Sequence, residues 1–409
     1  MENVQNKRRA KAVIETSFEA LPLEIQTEIL SRLPLKTLMK CICTSKKWAS
    51  LIRTKEFINL YMSRSTTKPR LFFTIYQYNI TTSSKPSRNI SEVLFQSVYH
   101  EEEPLLSSGQ QQVLLSPDLG YEASSPVRGL ICHRLNTEFM IFNPGTNKSQ
   151  HLAEIPLPNK SAPLRFFFGY DELTDVYKVL CVAEVTKEEQ HVFTIGTNEA
   201  AWRQITCEHQ HSPTPTAQGL CKEGVLYYRA RSSTGRGLVM MFNVRSEEFS
   251  VSELPEDMNI ENGWDVSNCR DPRGWELVKY INGADRAVAL VDDSQFSHEV
   301  VYEWNWNKVF HIWVRNEVAG TWSRIRIEIP FYKKTVDVPT LYFFRGTTRT
   351  GKLVFSMKHF LPKIDGKISI YVYYYDPETK DLRQYKIQGG EKGHCLRFYL
   401  DHVDTPMLI

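Results

Sequence analysis

No stretch of the 409 residues approaches the ~20 consecutive apolar positions that a membrane helix needs. The polar opening from Met1 to Lys11 also lacks the apolar run of a signal peptide. The expectation is a protein of the cytoplasm, the nucleus or both, with no membrane partner. The eight cysteines include no CxxC pair, so in a reducing compartment they are expected as thiols packed like small apolar residues. GxSxG, P-loop, GxGxxG and HExxH patterns are all missing, which removes the commonest enzyme signatures. The carboxylate groups at Asp171/Glu172, Asp292/Asp293 and Glu101–Glu103 sit at turns or in polar loops, where acidic side chains are routinely solvated. Cys207, His209 and His211 crowd three potential ligands into five residues, and His394-Cys395 adds two more. Neither has the paired spacing of a structural zinc site, so a solvated loop is the better account of the first. No catalytic residue, metal or cofactor is expected.

What is present is ordinary globular composition, 42% hydrophobic and 24% charged, at a length that suits two domains. Charge is uneven. Residues 1–66 hold 12 Lys/Arg against 6 Asp/Glu, while the remainder hold 38 against 41. A basic head on a near-neutral body suits an acidic partner. In that head Leu21, Ile25, Ile29 and Leu33 repeat at i+4, with Pro22 where a first-turn proline is tolerated. Pro34 interrupts, and Leu35, Leu38 and Ile42 mark a second short helix. Ser45 is placed to cap a third that carries Trp48, Leu51 and Ile52, and Thr54 a fourth with Phe57, Ile58 and Tyr61. Helices this short must pack on one another or on a partner. Lys46, Lys47 and Arg53 invite a DNA-binding reading, but Trp48 and Leu51 occupy the middle of that face, so no nucleic acid is expected.

After the polar stretch 63–69 the period changes from 3.6 to 2. About 25 short aromatic and β-branched runs follow, among them Leu71–Tyr76, Arg165–Tyr170, Leu238–Asn243 and Ile368–Tyr375, with no long amphipathic helix between them. The runs share a grammar. A glycine-started strand leads to an outer strand, then a turn opened by Asn or Asp, then a last strand, as at Asn143-Pro-Gly-Thr146, Asn243-Val-Arg-Ser246 and Asp376-Pro-Glu-Thr379. Turns recur at intervals of 46–72 residues from Asn143, which suits four-stranded blades with insertions. The expected fold is a small all-α block followed by an all-β propeller of about six blades. The segment His394–Leu400 is expected to close the ring against the first strands after residue 70. Trp313 is expected in a blade core, with Trp304 and Trp306 left open between core and a binding mouth.

The head closely resembles an F-box. The resemblance is carried by Leu21-Pro22-Leu23-Glu24-Ile25, Glu28-Ile29-Leu30-Ser31-Arg32-Leu33-Pro34, Lys36-Thr37-Leu38 and Ser45-Lys46-Lys47-Trp48-Ala49-Ser50-Leu51-Ile52. The body resembles the plant F-box-associated domain of the third described type, a kelch-like propeller. Its signatures are Ser125-Pro-Val-Arg-Gly-Leu-Ile-Cys132, Phe142-Asn-Pro-Gly-Thr146, Phe168-Gly-Tyr-Asp171, Asp175–Leu180 and Phe242–Glu247. The resemblance implies a basic tail at 1–14, an F-box at 15–62, a linker at 63–69 and a recognition domain at 70–405. It further implies a non-catalytic substrate receptor of an SCF-type ubiquitin ligase. The F-box would bind a Skp-type adaptor, and through it a cullin, by way of Leu21, Pro22, Ile25, Ile29, Leu33, Pro34, Leu35, Leu38 and Trp48. The β domain would recruit an unknown target protein. The same leucines and isoleucines could instead close a helical core. The alternatives for the whole chain are an interaction scaffold that uses no adaptor, or a kelch-like lectin or oxidase.

Overall fold

The computed structural model describes residues 18–67, 70–80, 88–99, 107–114, 121–135, 137–156, 164–183, 190–196, 201–214, 219–256, 258, 275–282, 285–292, 307–330, 342–357, 369–388 and 394–407. Trp304 and Trp306 lie outside them. A 3-10 turn, Phe18–Ala20, precedes four helices: α1 (Leu23–Ser31), α2 (Leu35–Thr44), α3 (Lys46–Ile52) and α4 (Lys55–Ser65). Pro22 and Pro34 stand at the N-cap positions of α1 and α2, where a missing N–H costs nothing. The expected caps are in place: Ser45 Oγ accepts from Trp48 N and Thr54 Oγ1 from Phe57 N. Leu30, Leu35, Leu38, Ile52, Phe57 and Tyr61 form the core of the helical block.

Among the described residues all remaining regular structure is β. Strands β1 (Arg70–Ile80), β2 (Arg88–Tyr99) and β3 (Ser107–Leu114) make three quarters of one blade. The second blade is β4 (Tyr121–Ala123), β5 (Ile131–Leu135), β6 (Glu138–Asn143) and β7 (Lys148–His151). The third is β8 (Leu164–Asp171), β9 (Val176–Ala183), β10 (Gln190–Ile195) and β11 (Trp202–Ile205). In the fourth the innermost strand comes in two pieces, β12 (His211–Pro213) and β13 (Leu220–Lys222), both paired with β14 (Val225–Ser232), followed by β15 (Gly237–Asn243) and β16 (Phe249–Glu253). The fifth is β17 (Trp275–Asn282), β18 (Asp285–Asp292), β19 (Asn307–Arg315) and β20 (Trp322–Pro330). The sixth is β21 (Tyr342–Thr347), β22 (Leu353–Met357), β23 (Ser369–Tyr375) and β24 (Leu382–Gln388). Strand β25 (His394–His402) then returns to pair antiparallel with β1, from Arg70 opposite His402 to Gln77 opposite His394. Both the six blades and the closing strand match the sequence expectation.

Packing explains why the strands read as nearly continuous apolar runs. Successive side chains point to opposite faces of a strand, and here both faces are covered by neighbouring blades. Phe166 and Phe168 join the core shared with the second blade, while Phe167 between them joins the core shared with the fourth. Tyr373 and Tyr375 face the fifth blade, and Tyr374 faces the first. Trp313, 1% exposed, sits between the fourth and fifth blades, so it is core. Phe72, Phe95 and Tyr399 meet Tyr121, Ile131 and Phe142 across the first and second. Each adjacent pair of blades thus shares a core, and the ring closes by packing as well as by hydrogen bonds.

The turn grammar has a common geometry. Asn143 Oδ1 accepts from the N–H groups of Gly145 and Thr146, and Asn243, Asn316 and Asp376 accept from the corresponding positions two and three residues on. Four residues after each, the backbone turns left-handed: φ is 56° at Asn147, 63° at Glu247, 68° at Gly320 and 57° at Lys380. Only one of the four is glycine. A left-handed non-glycine residue costs ~1–2 kcal/mol, so Lys380→Gly should stabilise the protein by about 0.5–1 kcal/mol after the entropy glycine adds to the unfolded chain. Glu247→Gly should not, because Glu247 holds Lys178 and Arg203, each at 2.6 Å. Urea unfolding of the two variants beside the parent checks the contrast. A Lys380→Gly protein no more stable than the parent would refute the strain argument.

Candidate functional site

Helix α1 turns Gln26, Leu30 and Ser31 inward. The row one position away, which the i+4 pattern selects, is therefore left outside. In that row Ile25 is 46% exposed and Ile29 39%; with Leu23, 50% exposed on another side of the helix, they account for three of the five large hydrophobic side chains exposed among the described residues. Pro22 and Pro34 flank the row and are exposed as well. An exposed apolar row between two exposed prolines departs from the usual solvated helix, which carries polar residues there. Glu28, on the edge of the stripe, binds Arg32 and Arg64 and so ties α1 to α4. These two guanidinium groups hold its carboxyl below the usual carboxylate range.

The other candidates fall differently. Leu21, Leu33 and Trp48 are half-buried, with Trp48 edge-on to Phe18 at a centroid distance of 5.1 Å. Leu35 and Leu38 are 4% and 0% exposed. Both belong to the helical core, and Leu35 in addition abuts the propeller at Gly145, where any side chain larger than hydrogen would collide with its Cδ2. The nine residues are thus a surface row, an intermediate set and a buried pair.

Two motifs expected to be solvated are not: His211 begins β12 and is 6% exposed, which corrects the solvated-loop expectation at that residue. His211 Nδ1 donates to the carbonyl of His209 at 2.7 Å, and its Nε2 accepts from Tyr228 Oη at 2.8 Å. With both ring nitrogens engaged, His211 has no lone pair to offer a metal; burial also lowers its pKa. Asp171 corrects the expectation of a solvated turn carboxylate. It is 2% exposed and receives Arg245 Nε and Nη2 at 3.0 and 2.8 Å. Arg245 and the nearby Thr174 hold it far below the usual range. The turn is covered because the hairpin of the third blade lies against the β15–β16 hairpin of the fourth, a contact between residues far apart in sequence.

Comparison with known proteins agrees with this architecture. Residues 18–60 match the F-box domain and residues 59–403 the F-box associated beta propeller domain. The chain is an F-box protein of the plant F-box-associated β-propeller family. In Arabidopsis thaliana it is similar to At1g70960, at 41% identity over 97% of this chain and all of that one. It is also similar to the F-box/kelch-repeat protein At3g04660, at 31% over 95% of this chain and 93% of that one, and to the F-box protein DOR, at 29% over 100% and 99%. This pairing of domains is that of adaptor-like recognition proteins.

Proposed function

We propose that the protein is the target-recognition subunit of an SCF-type ubiquitin ligase. The α1 stripe binds a Skp-type adaptor, the adaptor links to a cullin, and the propeller recruits a target protein. No bond is made or broken by the chain itself. It works by holding target lysines near the charged conjugating enzyme, which raises their effective concentration. The observation that carries this reading is the exposed Ile25 and Ile29 row inside a matched F-box.

Ile25→Asp with Ile29→Asp tests it. Both side chains are exposed, so the helices should keep their circular dichroism and melting temperature. Adaptor affinity should fall at least about thirtyfold, the loss of ~2 kcal/mol expected for a removed apolar anchor. Unchanged capture of a plant Skp-type adaptor by the double variant would overturn the assignment.

A further inference from the structure

The helices do not stand free of the propeller. The hairpins joining first to second and third to fourth strands of each blade open on one face of the ring, and α4 lies on that face. Lys55 Nζ, at the start of α4, pairs with Asp175 Oδ2 at 2.9 Å. Asp175 in turn accepts from Tyr170 Oη at 2.5 Å. Arg128 Nη1 donates to the same Tyr170 oxygen at 2.8 Å, and Arg128 Nη2 donates to Asn59 Oδ1 at 3.0 Å and reaches Met62 Sδ at 3.4 Å. One guanidinium therefore holds blade three with one edge and α4 with the other. Arg128 and Asp175 reach these positions from left-handed backbone, with φ of 48° and 57°, in the hairpins of blades two and three.

A second clamp is independent of the first. After β25 the chain runs on as a strap, 403–407, pressed between α4 and blade two. Asn143 Nδ2 donates to the carbonyls of Thr405 and Met407, both at 2.9 Å. Asp404 pairs with Arg70 at 2.7 Å, and its N–H donates to Ser65 Oγ, on α4, at 2.9 Å. A Cβ on Gly129 would meet the Val403 carbonyl at 2.6 Å, so only glycine lets the strap lie this close. Leu35 rests on Gly145 in the neighbouring turn, and Arg349 of blade six donates to the Thr66 carbonyl at 3.2 Å.

We infer that this seat fixes the F-box on one face of the propeller, with Lys55, Arg128 and Asp175 as positioning residues that set where a target bound to the ring stands relative to the adaptor. The inference deepens the proposed function and rests on it for the identity of the adaptor. Two modules joined by a short connection ordinarily move against each other unless their interface is extensive. Here contacts from blades two, three and six, together with the strap that Arg70 of blade one holds, span the interface. Burial raises the carboxyl of Asp175, but the hydrogen bond from Tyr170 and the charge of Lys55 outweigh it and keep the group ionised.

The test is a distance measurement on the full chain. Genetically encoded, non-cysteine spin labels at the exposed positions Ser50 and Ser233 report the helices against the ring. The parent should give one narrow distance. Arg128→Ala with Lys55→Glu and Ser65→Ala, which opens both clamps at α4, should broaden it about twofold or more. Lys55→Arg alone should leave it narrow, and the melting temperature of the ring should change little in any of these. A broad parent distribution, or a narrow one in the variant with both clamps opened, overturns the inference. Adaptor capture by the same proteins is read separately. Loss of capture by the parent would sink the proposed function while leaving the seating result intact.

Discussion

Deleting residues 394–409 should turn the propeller from a cooperatively folded ring into an aggregating chain. Strand β25 is the innermost strand of the first blade and the one element that joins the two ends of the β domain. Without it β1 loses its partner along Arg70–Gln77 and presents an unpaired edge. The deletion also removes Tyr399, His402, Val403 and Thr405, each 9% exposed or less, from the cores and seat around them. Loss of a whole strand and its packing is comparable with the roughly 5–15 kcal/mol that stabilises an ordinary domain. Thermal unfolding and gel filtration of truncated and intact proteins decide the matter. A truncated protein that stays monomeric and melts within a degree or two of the parent would show that the ring does not depend on closure.

Acid should weaken the junction of the first and second blades well before carboxylates protonate. His133 and His402 are 3% and 5% exposed and sit among Phe72, Phe95, Tyr121 and Phe142. Burial lowers both to about 3, with Arg70 adding to the effect at His402. Because the folded values lie below the ordinary 6.5, neither group affects stability above that pH. Below it the unfolded chain takes up two protons that the folded chain refuses, so stability falls as pH falls. The slope approaches about 2.7 kcal/mol per pH unit, or roughly 4 kcal/mol between pH 7 and 5. Asp404 acts in the opposite sense, since burial raises its carboxyl against the pull of Arg70. Urea unfolding at pH 7 and 5 measures the slope. Replacing both histidines with glutamine should flatten it; an equally steep slope in that variant would assign the effect elsewhere.

The parts of this molecule legible in its sequence are those fixed by local periodicity and local turn chemistry. Ser45 and Thr54 announce their helices because a cap acts within three residues. The Asn143, Asn243 and Asp376 turns are legible for the same reason, and with them the blade count. Periodicity locates the Ile25 and Ile29 row but does not say which side of α1 faces inward. That is decided by α2 to α4, which bury Gln26 and Leu30 instead. Leu35 and Leu38 illustrate the converse, since a residue inside a family motif can serve the core. Arg128 and Asp175 are visible in the sequence only as pieces of a family signature, and Asp171 besides as half of a carboxylate pair read as solvated. Their partners Asn59, Arg245 and Lys55 lie on other elements, and no local pattern encodes such contacts.

The strap has a consequence for the order of events during synthesis. The helices leave the ribosome first, yet Ser65 meets its partner Asp404 only 339 residues later. At about 5–20 residues per second, the F-box exists for roughly 17–70 s before the segment that seats it has been made. Throughout that interval its apolar row and the open edge of β1 are exposed together, a combination that invites chaperones. A nascent chain halted before residue 403 carries a formed F-box with an unfinished seat, so it could occupy an adaptor without presenting a target in a fixed position. Late completion of the strap thus ties the seating of the helices to translation of the last strand of the propeller.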